Sequence, residues 1–63
     1  MKKIKVLKGW GIFQNNKKEK DEYGFEYTVI HPNNMEYAYM CTPNDTDIEC
    51  TTHEAAERWI NNY

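Results

Sequence analysis

The stretch Thr51-Thr52-His53-Glu54-Ala55-Ala56-Glu57-Arg58-Trp59-Ile60 decides the fold, because it carries the clearest secondary-structure signal in the chain. Thr51 and Glu54 have the spacing of a capping box, in which a hydroxyl and a carboxylate satisfy the free amides of a helix N-terminus. Apolar side chains then recur at helical spacing: Ala56, Trp59, Ile60 and Tyr63. The pattern predicts one C-terminal helix over about residues 52–62, with its apolar side packed on a sheet.

Upstream of this helix, the residue pattern is typical of β-strands separated by turns. It predicts four strands, over about residues 3–14, 23–31, 35–42 and 46–50. Gly9 and Gly11 indicate a bend inside the first strand, and Trp10 between them is expected to cover the core. Two Pro-Asn turns separate the later strands, and the polar residues 15–22 predict a mobile hairpin loop. We therefore expect an α+β fold, with an antiparallel meander of three or four strands and one C-terminal helix packed on one face.

The length of the chain limits what it can do. A protein of 63 residues forms one small domain with a thin core, which argues against a deep enzyme pocket. No stretch approaches the ~20 apolar residues of a membrane span, so no membrane association is expected. Lysines interrupt the first eight residues too often for a signal-peptide core, and we expect a cytoplasmic protein.

The net charge of −2 is the sum of two blocks of opposite sign. Residues 1–20 carry seven lysines and one acid, a balance of +6, whereas residues 21–63 carry nine acids and one arginine, a balance of −8. These blocks are either solvated faces or an acidic surface that meets a basic groove of another protein. A nucleic-acid-binding domain would be basic instead, so no direct contact with nucleic acid is expected.

Two cysteines and two histidines supply the ligand types of a structural zinc site, and a thin core would gain from such a metal. If the turn at residues 43–45 closes a tight hairpin, Cys41 faces Cys50, and His53 follows in the first turn of the helix. We therefore predict zinc as a cofactor, with Cys41, Cys50 and His53 as ligands and an acid or water as the fourth. Two buried thiols, or a cross-strand disulfide, are the alternatives.

Catalytic patterns are weak in this sequence. The chain has no serine, and a nucleophile–base pair of Cys50 and His53 lacks a third residue that would orient the base. None of the three glycines precedes a helix as a phosphate-binding loop requires. We expect a protein without enzymatic activity.

The sheet face opposite the helix is the predicted binding surface. Ile30, Ala38 and Met40 are expected to form an apolar patch there with acidic side chains around it, which is the usual layout of a protein interface. The residues predicted to contact a partner are Glu26, Ile30, Glu36, Met40, Asp45, Asp47, Glu49, Glu54 and Glu57. An ordinary half-solvated sheet face is the alternative, and both a monomer and a homodimer remain open.

One resemblance rests on general features of the chain. These are its small size, its single domain, its many lysines and asparagines, and the acidic residues 21–63. In these respects the chain resembles the small acidic proteins with which phages and mobile elements block bacterial defence, anti-CRISPR proteins among them. The resemblance implies stoichiometric inhibition, in which an acidic surface occupies a basic nucleic-acid channel of a CRISPR effector nuclease. Residues 23–62, with Tyr27-Thr28-Val29 in a strand and Thr51–Ala56 opening a helix, also resemble HicB-like antitoxin sheets, which implies a small toxin as partner.

Overall fold

The computed structural model describes all residues, 1–63, and its core element is one four-stranded antiparallel sheet. The sheet order is β1-β2-β3-β4, so consecutive strands are neighbours. In chain order the elements are β1 (Lys2–Leu7), β2 (Trp10–Gln14), helix α1 (Lys17–Tyr23), β3 (Tyr27–Ile30), a long 3₁₀ segment (Pro32–Met40), a 3₁₀ turn (Pro43–Asp45), β4 (Glu49–Cys50) and helix α2 (His53–Asn61). The predicted α+β meander with a C-terminal helix is confirmed, although several strand bounds were wrong.

The predicted first strand, residues 3–14, is a hairpin of two strands. Lys8 and Gly9 form its two-residue turn, and both have positive φ, at 52° and 84°. Positive φ at both central positions is the geometry of a type I′ turn, whose twist matches that of paired strands. The bend expected at Gly9 is therefore a complete reversal of the chain, and β1 becomes an edge strand.

The predicted loop over residues 15–22 contains helix α1. Asn16 Oδ1 accepts a hydrogen bond from the Glu19 amide, and Glu19 Oε1 accepts one from the Asn16 amide, each at 2.8 Å. This capping box starts the helix, and Gly24, at φ 87°, ends it in the left-handed conformation. Because α1 extends to Tyr23, the strand predicted over residues 23–31 shortens to β3.

The strand predicted over residues 35–42 is replaced by the long 3₁₀ segment. Pro32 occupies its first turn, and His31 Nδ1 accepts a hydrogen bond from the Asn33 amide at 2.9 Å. A 3₁₀ helix has three residues per turn, and the half-buried positions follow that period: Pro32, Met35, Ala38 and Cys41. The backbone departs from helical geometry only at Tyr37, with φ −110° and ψ 19°.

The predicted strand 46–50 retains only Glu49 and Cys50 as β4. Thr46 explains the shortening, because its Oγ1 accepts the Val29 amide hydrogen bond at 2.8 Å and donates to the Ile48 carbonyl at 2.6 Å. A side-chain hydroxyl thus takes the place of a backbone partner. The chain therefore runs beside β3 without pairing as a regular strand until Glu49.

Helix α2 covers one face of the sheet, here called the helix face. The buried residues beneath it form the main core: Trp10, Ile12, Val29, Cys50, Ala56 and Ile60. Trp10 meets the ring of Trp59 edge to face, with centroids 5.0 Å apart, so the predicted core role of Trp10 is confirmed. The Thr52 hydroxyl caps α2 by accepting from the Ala55 amide, so the capping box predicted at Thr51 is one residue early.

The opposite face of the sheet is covered as well. Phe13, Thr28 and Ile30 point to this side and are buried, and the long 3₁₀ segment packs against β2 and β3. Met35 lies directly over Gly11, where a Cβ atom would overlap Met35 Sδ. The predicted free sheet face is therefore wrong, since local 3₁₀ structure lets residues 32–40 fold back over it.

Candidate partner-binding surfaces

The two cysteines lie on different sides of the sheet. Cys50 is buried in the core under α2 and pairs in register with Tyr27, so the predicted Cys41–Cys50 register is wrong. Cys41 follows the long 3₁₀ segment, and its thiol donates to the Tyr37 carbonyl at 3.5 Å. Both thiols are free, so the alternative of a disulfide is not formed. Burial raises the pKa of both cysteines, and the charge of Asp45 adds to the effect at Cys41.

His53 has acidic neighbours instead of a thiol. Its Nδ1 lies 3.2 Å from Glu57 Oε2, its Nε2 lies 3.2 Å from Glu54 Oε1, and its ring meets Tyr27 edge to face. No group of three or more His, Cys, Asp and Glu side chains is arranged to hold a metal ion. The structure does not bring Cys41, Cys50 and His53 together, and zinc binding stays a prediction for metal analysis of the purified protein.

Several of the predicted acidic contact residues are engaged within the fold. Lys5 Nζ lies 2.6 Å from Glu57 Oε1, which ties edge strand β1 to helix α2. The hydrogen bond from Lys5, followed by that from His53, holds the pKa of Glu57 below its usual 4.5. Glu26 lies 3.7 Å from Lys20 Nζ. The charges of these carboxylates are therefore partly neutralised by cations of the same chain, which makes the two residues weaker candidates for partner contact.

Five carboxylates have no cation within 4.0 Å: Glu22, Glu36, Asp45, Asp47 and Glu49. Three of them lie on residues 45–49, here called the acidic segment. Its backbone is fixed, because Asp45 Oδ2 accepts from the Thr42 amide at 2.8 Å and the Asp47 amide donates to the Val29 carbonyl at 2.9 Å. The exposed carboxylates of Asp47 and Glu49 line a groove of about 300 Å³ with Tyr23, Phe25, Pro43, Asn44, Thr46 and Ile48.

The sheet order separates the charge blocks in space. Lys2, Lys3 and Lys8 lie on or beside β1 at one edge of the sheet and have no carboxylate within 4.0 Å. The acidic segment runs into β4 at the other edge. The lysines of β1 and the acidic segment therefore lie at opposite edges of the sheet, although Lys17, Lys18 and Lys20 lie on α1 and Glu57 pairs with Lys5 of β1. This separation gives the sheet a direction for electrostatic encounter.

The predicted apolar patch is only partly present. Ile30 is 1% exposed beneath the long 3₁₀ segment, so it cannot contact a partner, and the prediction that it is a contact residue is wrong. Met40 is 67% exposed, as expected of a contact residue, and Tyr39 beside it is 84% exposed. Tyr37 and Tyr39 were not selected from the sequence, although a period of three would have placed both outside.

A groove lies between β1 and the long 3₁₀ segment on the face opposite α2. It has a volume of about 360 Å³, and its lining residues are Met1, Lys3, Phe13, Met35, Ala38, Tyr39 and Cys41. Lys3 is the one lining side chain with a charge. Sequence reasoning missed this groove because it expected residues 35–42 to be a strand of the sheet itself.

None of the helices combines the length and the apolar character needed to cross a bilayer. Comparisons with protein families, with curated proteins and with solved structures found no match for this chain.

Proposed function

We propose that this chain is a non-enzymatic protein-binding inhibitor of the kind that phages and mobile elements encode. Its acidic segment occupies a basic groove of a host nucleic-acid-handling protein, such as a CRISPR effector nuclease, in the cytoplasm of a bacterial cell. The observation that carries the proposal is the acidic segment itself, with three exposed carboxylates, no neutralising cation and a backbone anchored to the sheet.

Anchoring matters because a fixed array of charges needs little ordering on binding. The Thr46 hydroxyl and the Asp47 amide hold the segment to β3, so Asp47 and Glu49 are displayed from a rigid edge. A rim of one sign accelerates encounter with a basic partner and makes that encounter sensitive to salt. The lysines of β1 lie at the far edge of the sheet and do not cancel this field locally.

The exposed Tyr39 and Met40 supply an apolar contact with the partner. The charged residues cannot provide such a contact. Aromatic and methionine side chains are enriched at the centres of interfaces, where excluding water contributes most of the affinity. We assign the charged residues to encounter and orientation and these two side chains to retention of the complex.

The experiment is a target-DNA cleavage assay with a panel of purified CRISPR effector nucleases, with and without the chain. For an inhibited nuclease, D47N/E49Q is expected to associate about ten-fold more slowly, with a weaker salt dependence. D21N/E22Q removes the same charge from two exposed acids of α1 that lie outside the acidic segment and are not among the predicted contact residues, and it is the matched control. Equal association rates for the two double variants would contradict the role of the segment, and inhibition of no effector would overturn the proposed target.

Recovery of a small ribonuclease toxin on the immobilised chain would favour the antitoxin alternative. A further alternative is a structural or interaction module that needs zinc for its stability, and unfolding on addition of a chelator would favour it. Each result is distinct from inhibition of a nuclease, so the three experiments separate the three candidates.

A further inference from the structure

We infer that the groove between β1 and the long 3₁₀ segment is a binding site for an aromatic carboxylate that carries one negative charge. This site is separate from the acidic segment; it shares Tyr39 with the proposed partner surface, but it does not depend on the proposed inhibition. Three features of the groove lead to this ligand class: its shape, its lining and its single charge.

The shape follows from the three-residue period of the 3₁₀ segment. Met35, Ala38 and Cys41 lie in a row along one wall, and Phe13 of β2 lines the groove with them. Ala38 is the smallest of the three, so its position leaves space between the two longer side chains. The volume of about 360 Å³ is at the small end of the range of roughly 300–1,000 Å³ found for small-molecule sites.

The lining favours a flat aromatic ring. Two aromatic residues, Phe13 and Tyr39, and three sulfur-containing residues, Met1, Met35 and Cys41, line the groove. Sulfur next to an aromatic ring, and rings in edge contact, are each favourable beyond the apolar area that they bury. An aliphatic chain would gain only the area term, so an aromatic ligand uses this lining more fully.

Lys3 sets the charge of the ligand. Its ammonium has no carboxylate within 4.0 Å, and no acidic residue lines the groove. The amino group of Met1 lies 3.1 Å from Glu19 Oε1 and is already compensated. One uncompensated cation beside an apolar groove is complementary to one anionic group on an apolar body.

The test is a titration of the ¹⁵N-labelled chain with 2-naphthoate and, separately, with the uncharged 2-naphthamide, followed by backbone amide shifts. We expect naphthoate to shift the amides of Lys3 and residues 35–41 and to bind more tightly than naphthamide. K3Q should weaken naphthoate about three-fold, as expected for one exposed charge pair, and leave naphthamide unchanged. K18Q removes an exposed lysine of α1 with no ion-pair partner and should change neither ligand.

The absence of shifts at the groove, equal affinity for the two ligands, or an equal effect of K3Q and K18Q would each overturn the inference. A second readout uses Cys41, which lines the groove, with buried Cys50 as internal reference. Bound naphthoate should slow alkylation of Cys41 by iodoacetamide several-fold more than that of Cys50, whose rate reports only the stabilisation of the fold by the ligand. An unchanged Cys41 rate at saturating naphthoate would place any binding elsewhere and contradict the site.

Discussion

The Thr28 hydroxyl donates a 2.6 Å hydrogen bond to Asn15 Oδ1, and these residues are only 0% and 2% exposed. Asn15 uses its other side-chain group to donate from Nδ2 to the Phe25 carbonyl at 3.0 Å. Its backbone amide donates to the Glu26 carbonyl at 2.9 Å. One buried asparagine therefore joins the end of β2 to the residues that lead into β3. It thereby holds together the two ends of the connection that contains α1.

The first prediction concerns this buried network. Asn15→Ala leaves the Thr28 hydroxyl and the Phe25 carbonyl without their partner, and an unsatisfied buried polar group is destabilising. We expect the free energy of unfolding to fall by about 2–4 kcal/mol, measured by urea denaturation. Gln14→Ala, at the exposed neighbouring position, is the control and should change it by less than about 0.5 kcal/mol.

Thr28→Val tests the same bond from the other side, because valine keeps the shape and removes the hydroxyl. If Thr28 and Asn15 act as a pair, the double variant N15A/T28V should lose less stability than the sum of the single losses. Strict additivity of the two substitutions would show that the bond carries no coupling.

The second prediction concerns the pH dependence of the Lys5–Glu57 contact. Because the pKa of Glu57 in the fold lies below its usual 4.5, the carboxylate form favours the folded state. Its contribution is fully present above the usual pKa and is lost as the pH falls through the lower, folded value. Lys5→Gln removes the largest cause, so the pKa of Glu57 should move up toward 4.5 in a carboxyl-detected NMR titration.

Lys17→Gln is the matched control, since it breaks an equally simple ion pair, that with Asp21, far from Glu57 along the chain. It should leave the pKa of Glu57 unchanged. The thermal stability of Glu57→Gln should also depend less on pH on the acid side than that of the parent chain. A Glu57 pKa that is the same in the parent and in Lys5→Gln would refute the assignment of the shift to Lys5.

The third prediction concerns the hairpin turn. Lys8 has a φ of 52°, in the left-handed region where a side chain costs about 1 kcal/mol and asparagine is tolerated best among residues with a side chain. Lys8→Asn creates the Asn-Gly pair preferred in type I′ turns, and we expect about 0.5–1 kcal/mol of added stability in urea unfolding. Lys8→Ala removes the same charge without the conformational gain. A gain of equal size in both variants would assign the effect to charge and not to the turn.

The elements with strong periodic or capping signals were predictable. Trp59 and Ile60 recur at helical spacing and pack where expected, so α2 was placed within about one residue at each end. Helix α1 was also readable, because Asn16 and Glu19 form a capping box and Gly24 is a typical C-terminal residue. The overall polarity of residues 15–22 favours a loop and hides those local signals.

The long 3₁₀ segment shows where period-two reasoning fails. Met35, Tyr37 and Tyr39 alternate as in a strand, yet burial follows Met35, Ala38 and Cys41 at a period of three. Pro32 at the first position was the available clue. The candidate groove forms because this segment folds back onto the sheet. The alternation of apolar and polar residues therefore could not predict which residues line it.

The fourth prediction links this packing to a single glycine. The φ of Gly11 is not positive, so alanine is allowed by the backbone there, but its Cβ would overlap Met35 Sδ and lie 2.7 Å from Phe13 Cε1. Overpacking of this kind lowers stability, but the overlapping atoms are the ends of side chains that can move, so we expect Gly11→Ala to reduce the free energy of unfolding by about 1 kcal/mol, the low end of the overpacking range. The amide shifts of residues 35–41 should change in the same variant, because Met35 must move.

Met35→Ala removes the sulfur that the new Cβ would overlap, so Gly11→Ala should be less damaging in that background by at least about 0.5 kcal/mol. Gly24→Ala separates steric overlap from backbone strain: nothing lies within 4 Å of its Cβ, whereas its φ is 87°. Its loss, about 1 kcal/mol from strain alone, should be the same with or without Met35. If the loss of stability from Gly11→Ala were also the same with and without Met35, the 3₁₀ segment would not pack on β2 through the Gly11–Met35 contact. That result would contradict the placement of Met35 in the wall of the groove.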